Sequence, residues 1–146
     1  TPELAARYPT PESLLKAPLI FDESTDFLDP PCDWTTWFRA VGIDYAPRHG
    51  PRFSQADHAV DAALAGAGVA LGRRAVTVKD LFEGRLVAPF RIALETRAHF
   101  RFLCKEGTEN RPQILAFRNW ILAETEKTSS VHDQLTIIPV EDVTSA

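Results

Sequence analysis

Ser54, Asp57, His58 and Asp61 are the residue types that nucleophilic catalysis uses: a hydroxyl, an imidazole to take its proton, and carboxylates to orient the imidazole. Their spacing matches no nucleophile elbow of the GxSxG kind. Ser54 has a better use, because its hydroxyl can accept a bond from the amide of Asp57 and so cap a helix whose positive first turn holds the Asp57 carboxylate. His58 then falls outside the apolar stripe Ala56, Ala59, Val60, Ala63 and Leu64, on a solvated face. Gly66-Ala67-Gly68 suggests a phosphate loop, but such loops follow a strand and open a helix, and here the order is reversed. A helix C-cap and a tight entry to a strand account for both glycines. Cys32 and Cys104 belong to no CxxC or histidine-spaced cluster, and are read as buried thiols of a reducing compartment. The carboxylates form neither an HExxH motif nor a calcium-loop spacing. No catalytic residue, metal site or cofactor follows from these patterns.

What remains is a site made largely of backbone. The amide end of the helix at Ser54-Gln55 and the start of the next helix at Gly72-Arg73-Arg74 would favour an anion if they converge. Each exposed helix end contributes only about 0.3–1 kcal/mol, whereas millimolar binding needs about 4 kcal/mol. A further group must contribute, and Arg73 or Arg74 can do so as a bidentate partner for a carboxylate.

The elements that would position these groups carry clear boundaries between residues 53 and 90. The helix beginning at Ser54 ends at Gly66; a short buried strand, Val69-Ala70-Leu71, follows; a helix over about 73–82 is broken by Gly84; and Arg85-Leu86-Val87-Ala88 reads as a strand stopped by Pro89. Upstream, Thr1-Pro2-Glu3 and Thr10-Pro11-Glu12 each open a short helix, and Leu19-Ile20-Phe21 is a strand. A loop over 22–31 leads to Asp33, which caps a helix whose Trp34, Trp37, Phe38 and Val41 share one face before Gly42. Burying each such side chain contributes about 1.5–3 kcal/mol, so that face is core or a subunit interface. A loop over 47–51 precedes a brief strand, Arg52-Phe53. Beyond 90, residues 91–98 show no helical stripe, 99–104 alternate as a strand, and Asn110 can cap a helix over about 111–126 with Ile114, Leu115, Phe117, Ile121 and Leu122 on its apolar face. Residues 127–146 are mostly polar, with one apolar patch over 135–140, and are expected to be loosely held or to pack on a neighbour.

At 146 residues and 45% hydrophobic, the chain can form one ordinary core or two small lobes. A net charge of -4 without a basic stripe argues against nucleic acid as a direct partner. No apolar run reaches the length of a membrane span and no signal segment opens the chain, which points to the cytoplasm. Thr1 begins the sequence and methionine is absent, so a longer translation product is expected.

In order and spacing, the chain resembles the C-terminal effector-binding part of LysR-type transcriptional regulators. The likeness is carried by Thr1-Pro2-Glu3-Leu4, Pro18-Leu19-Ile20, Trp34-Thr35-Thr36-Trp37, "GPRFSQADHAVDAALAGAGVALGRR", "DLFEGRLVAPF" and "AFRNWILAE", over about residues 1–126. It is nearest the branch of the glycine-cleavage activator and the β-lactamase-operon regulator, where "GVAL", "GRLV-PF" and "AFR-WIL" recur. The resemblance implies an α/β fold, a periplasmic-binding-protein-like (type II) lobe with part of a second lobe, and a small-molecule effector held between lobes. Residues 1–96 would be the second lobe, 97–126 a strand and helix returning to a first lobe otherwise missing, and 127–146 a tail. By position it implies effector contacts from Phe53, Ser54, Gln55, Gly72, Arg73 and Phe100, the last standing where the β-lactamase regulator's pattern has a tyrosine. It further implies a non-catalytic homo-oligomer, without cofactor or membrane contact, meeting DNA only through an N-terminal winged helix-turn-helix outside this sequence. The aromatic helix over 33–41 and the helix from Ser54 offer faces for a two-fold dimer. An extracytoplasmic solute receptor would share the bilobal fold, and a small α/β enzyme using Ser54/His58 or Cys32 is the reading from another class.

Overall fold

The computed structural model describes residues 1–126 and 135–144. The chain divides into two compact units, Thr1–Thr96 with Thr136–Ala146, and Arg97–Leu135.

The first unit is built on parallel strands β1 (Leu19–Asp22), β2 (Arg52–Phe53) and β3 (Val69–Ala70), ordered β2-β1-β3. Register pairs Asp22 with Phe53 on one side and Ile20 with Ala70 on the other. Side chains alternate across β1, as the pleat requires. Ile20 packs with Ala59, Val60, Ala63 and Leu86, whereas Leu19 and Phe21 join Leu14, Trp34, Trp37 and Phe38. Helix α3 (Ala56–Leu64) and helix α4 (Arg74–Phe82) cover the first face, and helix α2 (Trp34–Ala40) covers the other. Both faces being covered explains why the strands read as apolar runs. Gly68 allows β3 to approach: a Cβ there would lie 2.4 Å from the carbonyl oxygen of Pro18, the group that accepts the Val69 amide at 2.8 Å.

Three helix starts in this unit carry the caps that the sequence predicts. Thr1 caps helix α1 (Pro2–Arg7), Thr10 and Ser13 form a reciprocal cap on the 3-10 helix Pro11–Lys16, and Asp33 accepts the Thr36 amide at 2.8 Å. Trp34, Trp37 and Phe38 are 3%, 4% and 0% exposed, in a chain of edge-on and tilted ring contacts that extends to Phe90 and Tyr45. Trp34 also donates its indole N–H to the Ile20 carbonyl at 2.9 Å. This helix is therefore core of the first unit, and the expected dimer face over 33–41 is corrected: burial against β1 leaves the Trp34, Trp37 and Phe38 rings nothing to present to another subunit. The apolar stripe of α3 is likewise buried, leaving Asp57, His58 and Asp61 outside.

Two strand assignments do not hold. Residues 85–88 form no strand, because α4 ends in a Schellman motif: Gly84 at φ +70° turns the chain so that the Arg85 amide reaches Asp80 O at 2.9 Å and the Gly84 amide reaches Leu81 O. The same pattern closes α2 at Gly42 and α3 at Gly66. In the second unit, residues 99–104 are irregular, since no strand among the described residues of that unit offers a backbone to pair with. Its helix α5 (Pro112–Glu126) buries none of its residues, and Phe117 stacks on Trp120 at 5.7 Å and contacts Phe102.

The last strands pair where no such partnership was anticipated. Strand β4 (Ile92–Glu95) runs parallel to β5 (Thr136–Pro139), Ile92 opposite Thr136 and Glu95 opposite Pro139. Helix α6 (Val140–Thr144) then brings Val140, 1% exposed, into the first unit, where α6 meets α2. Of the expected tail, residues 136–144 thus pack within the first unit, while 127–134 and 145–146 lie outside the described residues. Both cysteines are free, and Cys104 is exposed, contrary to the expectation of two buried thiols.

Candidate functional site at the carboxyl edge of the sheet

Because β1, β2 and β3 are parallel, their carboxyl ends lie along one edge, where open α/β sheets bind ligands. Three chain segments leave the sheet there. Residues 23–25 follow β1, which ends at Asp22; Ser54-Gln55 follow β2 into α3, and Leu71-Gly72-Arg73 follow β3 into α4. Five of the six residues singled out in the sequence therefore share this edge. Phe53 is half-buried, packed with the α3 face of the core; Ser54, Gln55 and Gly72 are exposed; Arg73 is half-buried. Phe100 belongs to the other unit, where its ring is 86% exposed.

The helix starts differ from expectation in an informative way. Ser54 does not cap α3: the helix begins one residue later, Gln55 is the N-cap in extended conformation, and no side chain bonds to the free amides. Arg73, the N-cap of α4, likewise makes no side-chain cap. By contrast, side chains cap α1, α2 and both 3-10 helices, Pro11–Lys16 and Glu23–Thr25. The first amides of the two helices that open at the sheet edge are thus not bonded by an N-cap side chain, at α4 because a guanidinium carries no acceptor.

Arg73 is the cation of the edge. Its Nη2 donates to Ser24 Oγ at 2.6 Å and lies 3.4 Å from Asp22 Oδ2. Asp22, only 9% exposed, also accepts the Ser24 amide at 3.0 Å and the Ser24 hydroxyl. Arg52 is held elsewhere, over the Phe21 ring at 4.4 Å and against Glu23 at 3.2 Å. Gly72 is the residue the turn needs: a Cβ would sit 2.6 Å from Thr77 Cγ2, and Thr77 is buried with its hydroxyl donating to Arg73 O at 3.0 Å. Asp22 and Ser24 were missed in the sequence, where 22–31 reads as a loop. Their position directly after an apolar strand of a parallel sheet is the signal that would have found them.

Cys32 shows little nucleophilic character: burial, and to a lesser extent the neighbouring Asp33 carboxylate, push its thiol above the ordinary range. Ser54 and His58 are both exposed. Among the described residues there is no cluster of His, Cys, Asp and Glu able to hold a metal ion, and no helix is long and apolar enough to cross a membrane.

The model of the LysR substrate binding domain matches residues 1–126. The chain belongs to this family. As a LysR substrate-binding domain it has the α/β architecture with parallel sheets of a type II periplasmic-binding-protein-like fold. It is 35% identical over 116 residues to the glycine cleavage system transcriptional activator of Escherichia coli (strain K12), covering 79% of this chain and 36% of that protein. It is 31% identical over 134 residues to the HTH-type transcriptional regulator DsdC of the same organism, covering 88% and 43%. The HTH-type transcriptional activator AmpR of Pseudomonas aeruginosa is 29% identical over 126 residues, 83% of this chain and 39% of that protein. The LysR domain described here thus spans about two fifths of the length of these relatives or less. No solved structure matches the chain to significance.

Proposed function

We propose that this chain is the ligand-sensing part of a LysR-type transcription regulator, and that a small polar or anionic metabolite binds at the carboxyl edge of the β2-β1-β3 sheet. The observation that carries this reading is that α3 and α4 both begin at that edge without side-chain caps. Their free amides, the exposed Ser54 hydroxyl and Arg73 together offer the donors that a carboxylate or a similar group requires.

In this reading residues 1–96 are the second lobe of the effector domain, 97–126 return to a first lobe supplied by other sequence, and 127–146 are the tail. Effector binding changes the equilibrium between lobe arrangements, and so the packing of identical subunits in the cytoplasm. DNA is met through a winged helix-turn-helix elsewhere in such regulators. The domain itself performs no catalysis. Family membership and the regulators among its relatives favour this over a solute receptor.

The test is calorimetric titration of the chain, and of the full-length regulator, with a panel of amino acids and small carboxylic acids. Ser54→Ala with Arg73→Ala should weaken binding of whichever compound binds by about tenfold, the equivalent of about 1.4 kcal/mol. An unchanged titration curve for the double variant would remove the site from this edge.

A further inference from the structure

The guanidinium of Arg73 is already occupied. One nitrogen, Nη2, serves both Ser24 Oγ and Asp22 Oδ2, while Nε is buried and has no acceptor. Asp22 does not supply that acceptor: its Oδ1 accepts the amide and hydroxyl of Ser24, and its Oδ2 lies 3.4 Å from Nη2. A buried donor without a partner is unfavourable, so this pose is one that a better acceptor can displace. Once Arg73 leaves this clasp, a carboxylate meeting its Nε/Nη2 side would satisfy both donors in the bidentate geometry that arginine prefers.

We propose that Asp22 and Ser24 are a built-in competitor for the effector: they park Arg73, so that binding of an anionic ligand exchanges one carboxylate for another and Asp22 sets how tightly the ligand must hold. This rests on the assignment of Arg73 to the effector site made above, and deepens it in two ways. It narrows the ligand to one with a carboxylate, since a neutral molecule cannot compete with Asp22 for a charged guanidinium. It also gives binding a local mechanical result, because Asp22 and Ser24 lie at the exit of the central strand and Arg73 opens α4. The exchange unties those two segments from each other.

The charges facing Arg73 make the test direct. Asp22→Asn removes the competing charge and keeps an oxygen for the Ser24 amide, while Glu23 stays engaged with Arg52. The full chain is titrated calorimetrically with acetate, malonate and glycine, and with acetamide as the neutral control. Asp22→Asn should bind the carboxylates about 2- to 5-fold more tightly, the release expected for a partly exposed ion pair. Acetamide should be unmoved, and adding Arg73→Ala should erase the gain. Ser24→Ala, which removes the other anchor, should shift affinity in the same direction and decides the matter if Asp22→Asn fails to fold. Carboxylate binding that is equal or weaker in the folded variants overturns the competitor while leaving the site. No carboxylate binding by the parent chain or by any variant overturns both.

Discussion

Replacing Gly72 with alanine tests the joint that sets Arg73 in place. The backbone at Gly72 is not left-handed, so alanine meets no dihedral penalty and would gain about 0.4–1 kcal/mol from a less flexible unfolded chain. Against this, the new methyl would lie 2.6 Å from Thr77 Cγ2. Thr77 cannot simply rotate away: it is 7% exposed, and its hydroxyl is bonded to the Arg73 carbonyl at 3.0 Å. Overpacking of this kind costs about 1–3 kcal/mol, which leaves a net loss of about 1–2 kcal/mol, or about 3–6 °C in Tm for a chain of this size. The decisive arm is Thr77→Ser, which deletes the offending methyl and retains the hydroxyl. In a double-mutant cycle read by urea denaturation, Gly72→Ala should cost much less in the Thr77→Ser background, with a coupling energy of about 1 kcal/mol. Additive effects, or a stabilised single variant, would show that the turn is not held against Thr77 and that Gly72 has no structural role at the site.

Two further outcomes follow from the first unit. Trp34→Phe removes the indole N–H that the Ile20 carbonyl accepts inside the core, and should cost about 1–3 kcal/mol in urea denaturation; a change within about 0.5 kcal/mol, the range of inert surface positions, would contradict that role. Cys32 has a thiol pKa raised first by burial and then by Asp33. Below the ordinary thiol value of 9.0 both folded and unfolded thiols are neutral; above it the unfolded chain ionises first, so stability falls as pH rises until the folded thiol ionises too. Cys32→Ser should therefore flatten the loss of Tm between neutral and strongly alkaline pH, and iodoacetamide at pH 8 should label the exposed Cys104 well before Cys32.

Much of the first unit was legible because its signals act over three to five residues. A threonine or aspartate before a helix, a proline in its first turn and a glycine just after it each determine local hydrogen bonds, and α1, α2 and the ends of α3 and α4 follow from them. The errors come where a pairing partner decides. Residues 85–88 have the composition of a strand, but the Schellman turn at Gly84 claims the amides of Arg85 and Leu86 for Asp80 O. Ile92–Glu95 and Thr136–Pro139 are each too short to announce a strand alone, and become one only against each other. At the site, the segments bearing Ser54 and Arg73 were identifiable from the helix starts. Their lack of caps was not, since Ser54 has the composition of an N-cap and misses the position by one residue. The clasp of Asp22 and Ser24 on Arg73 spans β1 and α4, a contact that only the folded sheet creates.

The parallel pairing of β4 with β5 makes Arg97–Leu135 an excursion of the chain between two neighbouring strands of the first unit. During synthesis the β2-β1-β3 sheet and its covering helices can assemble once residue 96 has cleared the ribosome, while β4 keeps an open edge until Thr136–Pro139 emerges. Val140, 1% exposed, then packs within the helix that meets α2. Loss of residues 136–144 by a nonsense codon or a protease would therefore leave the Ile92–Glu95 edge without its partner and exposed to other chains.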